Sequence, residues 1–103
     1  MNRGDVYWVS FAGSARRRPA VILTRQRGLG VLTSVTVAPI SSTDRTTPTW
    51  VPVGPADGLR RASSVNLDNI QTVDTDRLRE FVTHLSPQKM TQVNAAARFA
   101  LGL

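Results

Sequence analysis

Residues 19–24, PAVILT, form a continuous apolar run of strand length, and three consecutive arginines, Arg16, Arg17 and Arg18, stand directly before it. A run of this kind is bound for a core. Proline is tolerated at its head, because the first residue of a strand can do without its N–H. Its natural partner is residues 5–11, DVYWVSF, which alternate and are rich in aromatic and β-branched side chains. The short turn Ala12-Gly13-Ser14-Ala15 joins the two.

The same reading extends along the chain. Residues 31–40, VLTSVTVAPI, are the longest β-branched run and predict a third strand, with Pro39 marking a bulge or an edge. Residues 26–30 read as a loop, 41–47 as polar turn and 54–58, GPADG, as a clear turn. Short strands are expected at 49–53, 62–67 and 70–73, and one helical turn at 74–78 capped by Asp74. Ser86-Pro87 then supplies an N-cap with proline at the first helical position. Beyond it Met90, Val93, Ala97 and Leu101 recur at helical spacing, so they predict the core-facing side of a helix of about four turns. The expected architecture is mainly β with helices: a small, strongly bent antiparallel sheet or half-open barrel with a C-terminal helix packed on it, as one domain over 1–103.

Charge narrows the function. The 103-residue chain carries a net charge of +6, and Lys89 is its only lysine. Arginine's planar fork suits bidentate contact with phosphate or carboxylate, so the partners expected are polyanionic: nucleic acid, an acidic protein segment, or both in competition. No apolar run approaches the roughly 18 residues of a membrane span, and no charged-then-apolar leader precedes the first strand; both point to the cytoplasm. Without cysteine there is neither a disulfide framework nor a thiolate site.

Several chemistries lose support in turn. The seven acidic residues are scattered with no pair spaced for a shared metal, so no metal or other cofactor is expected. His84 is the sole histidine, which excludes a mechanism with two imidazoles; in REFVTHL it reads as structural. Gly28-Leu29-Gly30 lacks the lysine and helix of a phosphate loop. Arg3-Gly4-Asp5 reads as the turn that launches the first strand.

What remains is arginine and hydroxyl. Arg16, Arg17 and Arg18 precede one strand, Ser41, Ser42 and Thr43 follow another, and a small sheet can bring those ends together. One reading is a solvated turn beside a hydroxyl-capped turn. The other is phosphodiester cleavage in which an RNA ribose 2′-OH is the nucleophile, a guanidinium stabilises the phosphorane-like transition state and a hydroxyl orients the reacting group. Tyr7 and Trp8 alternate faces on the first strand, so Trp8 is assigned to the core and Tyr7 is left as the candidate stacking platform. Trp50 fits an interface or a core equally.

Several segments occur in a specific order: RGDVYWVSF at 3–11, RRPAVILT at 17–24, VTVAPIS at 35–41 and SSVNLDNIQTVD at 63–74, followed by Arg77-Leu78. This series resembles the MazF/PemK (Kid-like) family of bacterial toxin endoribonucleases over nearly the whole chain. The resemblance implies a CcdB/PemK-like SH3-type barrel, a homodimer and metal-independent cleavage of single-stranded RNA. It also implies a MazE-like antitoxin whose acidic, extended tail occupies the RNA groove. It places the catalytic arginine on Arg18, before the strand's proline, and the hydroxyl partner on Ser41, with Ser42 and Thr43 as replacements. Arg16 and Arg17 then neutralise neighbouring phosphates.

Three departures stand out. Ser41 replaces the usual threonine, keeping the hydroxyl but losing the methyl that restricts χ1. The connection from Phe11 to Arg18 is short, and Asn69 and Gln71 replace the usual glutamine and arginine. Two other readings fit parts of the pattern. A CcdB-like gyrase poison shares the barrel but needs a tryptophan near its C-terminus, whereas this chain ends Phe99-Ala100-Leu101-Gly102-Leu103. A non-catalytic nucleic-acid-binding barrel fits the composition.

Overall fold

The computed structural model describes residues 1–43 and 45–103. Asp44, inside the predicted polar turn 41–47, lies outside the described residues. The elements are β1 (Asp5–Ser10), β2 (Arg17–Ile22), β3 (Ser34–Ser41), β4 (Trp50–Val53), β5 (Ser63–Asn66), β6 (Gln71–Asp74), β7 (Leu78–His84) and α1 (Pro87–Leu101). All pairings are antiparallel, in the order β4-β5-β3-β2-β1-β7, with β6 also on β3. This is the bent sheet with a terminal helix that the sequence predicts.

The apolar run of β2 is continuous because both its faces are covered. Val21 enters a core shared with Val6, Leu67, Leu85, Met90 and Val93 beneath α1. Ala20 and Ile22 enter a second core with Val9, Phe11, Val35 and Val37. Burying a side chain of this size is worth roughly 1.5–3 kcal/mol, which is what commits the strand to its place.

The bend is visible in the pairings of β3. Val37 lies opposite Gln71 of β6, whereas Ile40 lies opposite Val65 of β5. Six steps along one chain therefore pass three along the other. A 3-10 turn, Leu67–Asn69, absorbs the excess, held by the Asn66 side chain accepting from the Asp68 amide, and it drives Leu67 into the core at 1% exposure. The edges β4 and β7 do not pair with each other. The loop between β4 and β5 spans them instead: Thr83 Oγ1 donates to the Asp57 carbonyl at 3.0 Å, and Gly58, at φ +93°, packs so close to the Thr83 side chain that a Cβ there would collide with it. A glycine is required on both counts.

Ser86 caps α1 by accepting from the Lys89 amide, as its position before proline predicts. The buried residues of the helix are Met90, Val93 and Ala96, with Ala97 partly buried. Leu101 is 58% exposed, contrary to its predicted core role, because the last turn projects past the sheet. The third strand begins at Ser34 rather than Val31, which is exposed. Asp74 takes the predicted cap position of the 3-10 turn Thr75–Arg77 but makes no side-chain cap bond. β7 is an additional strand, over a segment from which no strand was predicted.

The Arg3-Gly4-Asp5 segment is indeed the turn entering β1. Gly4 has φ +93°, and the buried Asp5 carboxylate accepts from the Asn2 amide at 2.8 Å and pairs with His84 Nδ1 at 2.7 Å. Arg3 donates to the Leu23 carbonyl and to Asn94 of α1. His84 is therefore part of the clasp that ties the N-terminus to β7.

Candidate functional site

A groove of about 660 Å³ opens where β2 begins and β3 ends. Arg16, Arg17, Arg18, Ser41, Ser42 and Thr43 all line it, so the two predicted clusters meet. The strand register explains why. The pairing of β2 with β3 ends at Ala20 opposite Pro39, so Arg18 and Ser41 each lie two residues beyond the last pair, at the same end of the two strands. On its other side Arg18 lies opposite Val9. Pro19 and the buried residues behind it fix the backbone from which Arg18 projects.

Ser41 is the last residue of β3 rather than the first of a turn, and it is paired with Ser64 of β5. Its Oγ accepts from the Thr43 amide at 3.1 Å, so its O–H remains able to donate toward the groove. Ser42 and Thr43 lie beyond the strand end and are exposed. Beneath Ser41, the Ser64 hydroxyl is buried without a hydrogen-bond partner among the described residues.

The three arginines are not equivalent. Arg17 is paired with Glu80 of β7, its Nη1 lying 3.0 and 2.8 Å from the two carboxylate oxygens. A backbone hydrogen bond at Glu80 and then the Arg17 guanidinium hold that carboxyl below its usual range, so the pair persists through neutral pH and is lost only in acid. Both side chains are exposed, so the pair adds little to stability. Its effect is on Arg17, whose Nη1 is engaged and whose charge is partly neutralised by Glu80 while its other N–H groups remain able to donate. Glu80→Gln is therefore expected to tighten binding of single-stranded RNA by a few-fold at low salt, an effect that fades as salt rises. Filter binding across a salt series checks this, and unchanged affinity at low salt contradicts it.

The sequence reading missed the far bank. Leu59, Arg60, Arg61 and Ser63 line the groove opposite the first arginines, brought there by the loop that Thr83 and Gly58 hold in place. The signal available was the Arg60-Arg61 pair itself, directly after the GPADG turn. The lone lysine does not contribute: Lys89 Nζ donates to the Pro52 carbonyl, 2.8 Å away. His84 lies outside the groove, in a separate shallow pocket with Arg3, Asp5 and Tyr7.

Trp8 corrects a prediction. It shares a face of β1 with buried Val6, but α1 does not extend over it; it lies opposite Pro19, is 36% exposed and lines the groove. Tyr7 is the half-buried one, packed edge to face on Phe81 at 5.6 Å, with its phenol pushed above the ordinary value by burial and then by the Asp5 carboxylate. Trp50 is half-buried, with the Arg45 guanidinium 5.2 Å above its ring. Among the described residues no group of three or more His, Cys, Asp or Glu could hold a metal ion, and no helix is long and apolar enough to cross a membrane.

The chain is similar in sequence to known proteins and in fold to solved ones. Residues 2–101 match the profile of a family described as PemK-like, MazF-like toxin of type II toxin-antitoxin system. Endoribonuclease MazF1 of Mycobacterium bovis is 35% identical over 101 residues, which cover 98% of this chain and 92% of the relative. Endoribonuclease MazF of Staphylococcus saprophyticus is 36% identical over 111 residues, covering 100% and 92%. A solved endoribonuclease from Mycobacterial species, in complex with its cognate antitoxin, superposes with a TM-score of 0.89 at 33% identity, covering 100% of this chain and 96% of that one. With the family profile spanning nearly every residue of the bent sheet, its helix and the arginine groove, this chain belongs to the PemK-like, MazF-like toxins of type II toxin-antitoxin systems.

Proposed function

We propose that this toxin is an endoribonuclease that cuts single-stranded RNA at short sequence motifs without a metal ion, using the ribose 2′-OH next to the scissile phosphate as nucleophile. The observation that carries the reading is the convergence of Arg18 and Ser41 at one end of an arginine-lined groove. The 2′-OH gives up its proton to water as its oxygen attacks the neighbouring phosphorus, the P–O5′ bond breaks, the departing O5′ takes up a proton from water, and the products are a 2′,3′-cyclic phosphate and a 5′-hydroxyl. Arg18 is the catalytic residue that meets the charge developing on the non-bridging oxygens. Ser41 donates its O–H to the same phosphate or to the attacking oxygen. Arg16 and Arg17, and the hydroxyls of Ser42 and Thr43, hold flanking phosphates and sugars.

Ser41 is favoured over Ser42 and Thr43 because it alone of the three is within a strand, fixed by pairing with Ser64. The groove suits a second, competing occupant: the acidic, extended tail of a cognate antitoxin, which would present carboxylates to the same guanidinium forks. We further propose a homodimer, for which the exposed Phe99, Leu101 and Leu103 at the end of α1 offer apolar surface to bury. Family membership favours this reading over a gyrase poison, and both tryptophans, Trp8 and Trp50, belong to strands rather than to the C-terminal segment.

The test is direct. Defined single-stranded RNA incubated with the protein in EDTA is expected to be cut at a few sites, leaving cyclic-phosphate and 5′-hydroxyl ends. Ser41→Ala is expected to slow single-turnover cleavage at least tenfold, and Ser42→Ala and Thr43→Ala by less than threefold. Cleavage that requires added metal, or a larger loss at Ser42 or Thr43, overturns the corresponding assignment.

A further inference from the structure

We propose that Trp8 is the base-stacking platform of the groove, taking the base of a nucleotide that flanks the phosphate held by Arg17; the inference rests on the reading of the groove as an RNA site. Phosphate contacts position a strand but leave its bases unheld, and single-stranded nucleic acid is bound by pairing a positive groove with flat aromatic faces. Arg16, Arg17, Arg18, Arg60 and Arg61 supply the first part. Trp8 supplies the second. Among the described residues the one aromatic pair is Tyr7 with Phe81 and the one cation–π contact is Arg45 on Trp50, so the Trp8 ring engages neither kind of partner within the chain. Its indole N–H makes no hydrogen bond among the described residues either, and the residue is 36% exposed.

The register gives the platform its place. Trp8 lies opposite Pro19 and Ser10 opposite Arg17, so Trp8 and Arg17 are diagonal neighbours on one face of the ribbon. Such same-face diagonal positions lie about 7–8 Å apart. That is the scale of adjacent groups along an extended nucleotide chain, so a base on the indole and a phosphate on Arg17 can belong to neighbouring positions of one strand, in the groove that Arg18 also lines. Arg60 and Arg61, which line the same groove, add guanidinium groups for the backbone that runs on from the stacked base.

The test uses an RNA containing a site cut by the parent protein, with the nucleophilic 2′-OH replaced by 2′-methoxy so that it binds without being cleaved. Removing one base at a time, to leave an abasic sugar near the scissile phosphate, is expected to weaken binding to the unaltered protein by about fivefold or more at one flanking position. Trp8→Ala is expected to lose a similar factor on intact RNA and nothing further on that abasic RNA, and Trp8→Phe to keep most of the affinity. In Trp50→Phe protein, where Trp8 is the sole tryptophan, the intact RNA quenches tryptophan fluorescence and the abasic one does not. The slope of log affinity against log salt stays at the parent value in Trp8→Ala, because no phosphate contact is lost. A parent protein that cuts and binds RNA while every abasic substitution is silent, or whose Trp8 emission responds only to an acidic peptide, overturns the stacking role alone. A parent protein that neither binds nor cuts RNA overturns both readings.

Discussion

Arg18→Ala is expected to lower the single-turnover rate of RNA cleavage by at least 10²- to 10³-fold, while RNA affinity falls only modestly and the thermal midpoint is unchanged. The size follows from what a positioned donor does for charge that appears only in the transition state, roughly 3–4 kcal/mol for a single group. In the bound ground state the phosphate carries one negative charge, which the other groove arginines also meet; in the phosphorane-like state the additional charge develops beside Arg18. Losing one phosphate contact should flatten the salt slope by about 0.7 on single strands, a small effect beside the loss of rate. Arg18→Lys is a useful companion, since an ammonium keeps the charge but not the fork and should recover only a fraction of the rate. Rapid-quench cleavage under enzyme excess, with affinity measured separately on uncleavable RNA, separates the two effects. An Arg18→Ala protein that cuts at the parent rate removes Arg18 from the catalytic role.

How well each part of the molecule could be read in advance follows from where its information resides. β2 and β3 were legible because their side chains are buried on both faces, and helix α1 because Ser86-Pro87 announces its start. β7 carried a weaker signal: LREFVTH has no fully buried residue, and charge interrupts its apolar positions. Its strand state comes from pairing with β1, from which it is more than sixty residues distant in sequence. The same distance hid the Arg17–Glu80 pair, which joins β2 and β7 across β1. That Arg18 and Ser41 would come to one end of the sheet was legible because an arginine before a strand's proline and a hydroxyl at a strand's end are local features, and both line one groove. Arg60 and Arg61 were equally visible as charges, but their place depends on the contact of Thr83 with the 54–58 loop. Trp8 was misassigned for a related reason. Alternation along β1 correctly puts it on the face of Val6, yet alternation does not say where the helix covering that face stops.

Leu67→Ala is expected to destabilise the protein by about 2–5 kcal/mol, the range for truncating a fully buried leucine. Against the 5–15 kcal/mol by which domains of this size are stable, that is a large share. Leu67 is the buried residue of the 3-10 turn where the neighbour of β3 changes from β5 to β6, and it packs in the core beneath α1. The cavity thus opens at the point on which the bend depends, where the turn's own hydrogen bond cannot close it. A urea titration should show a lower midpoint at unchanged slope, with Leu67→Met costing less than about 1.5 kcal/mol because volume is kept. Truncating exposed Val31 in the same way should change stability by no more than about 0.5 kcal/mol. The consequence reaches the groove, because β5 holds Ser41 through Ser64 only three residues before Leu67. Under conditions where Leu67→Ala remains folded, its cleavage rate should therefore fall while its RNA affinity, set by the arginines of other elements, stays near the parent value. Equal losses in rate and affinity would mean that the whole groove has loosened, and an unchanged midpoint would show that the corner does not depend on Leu67.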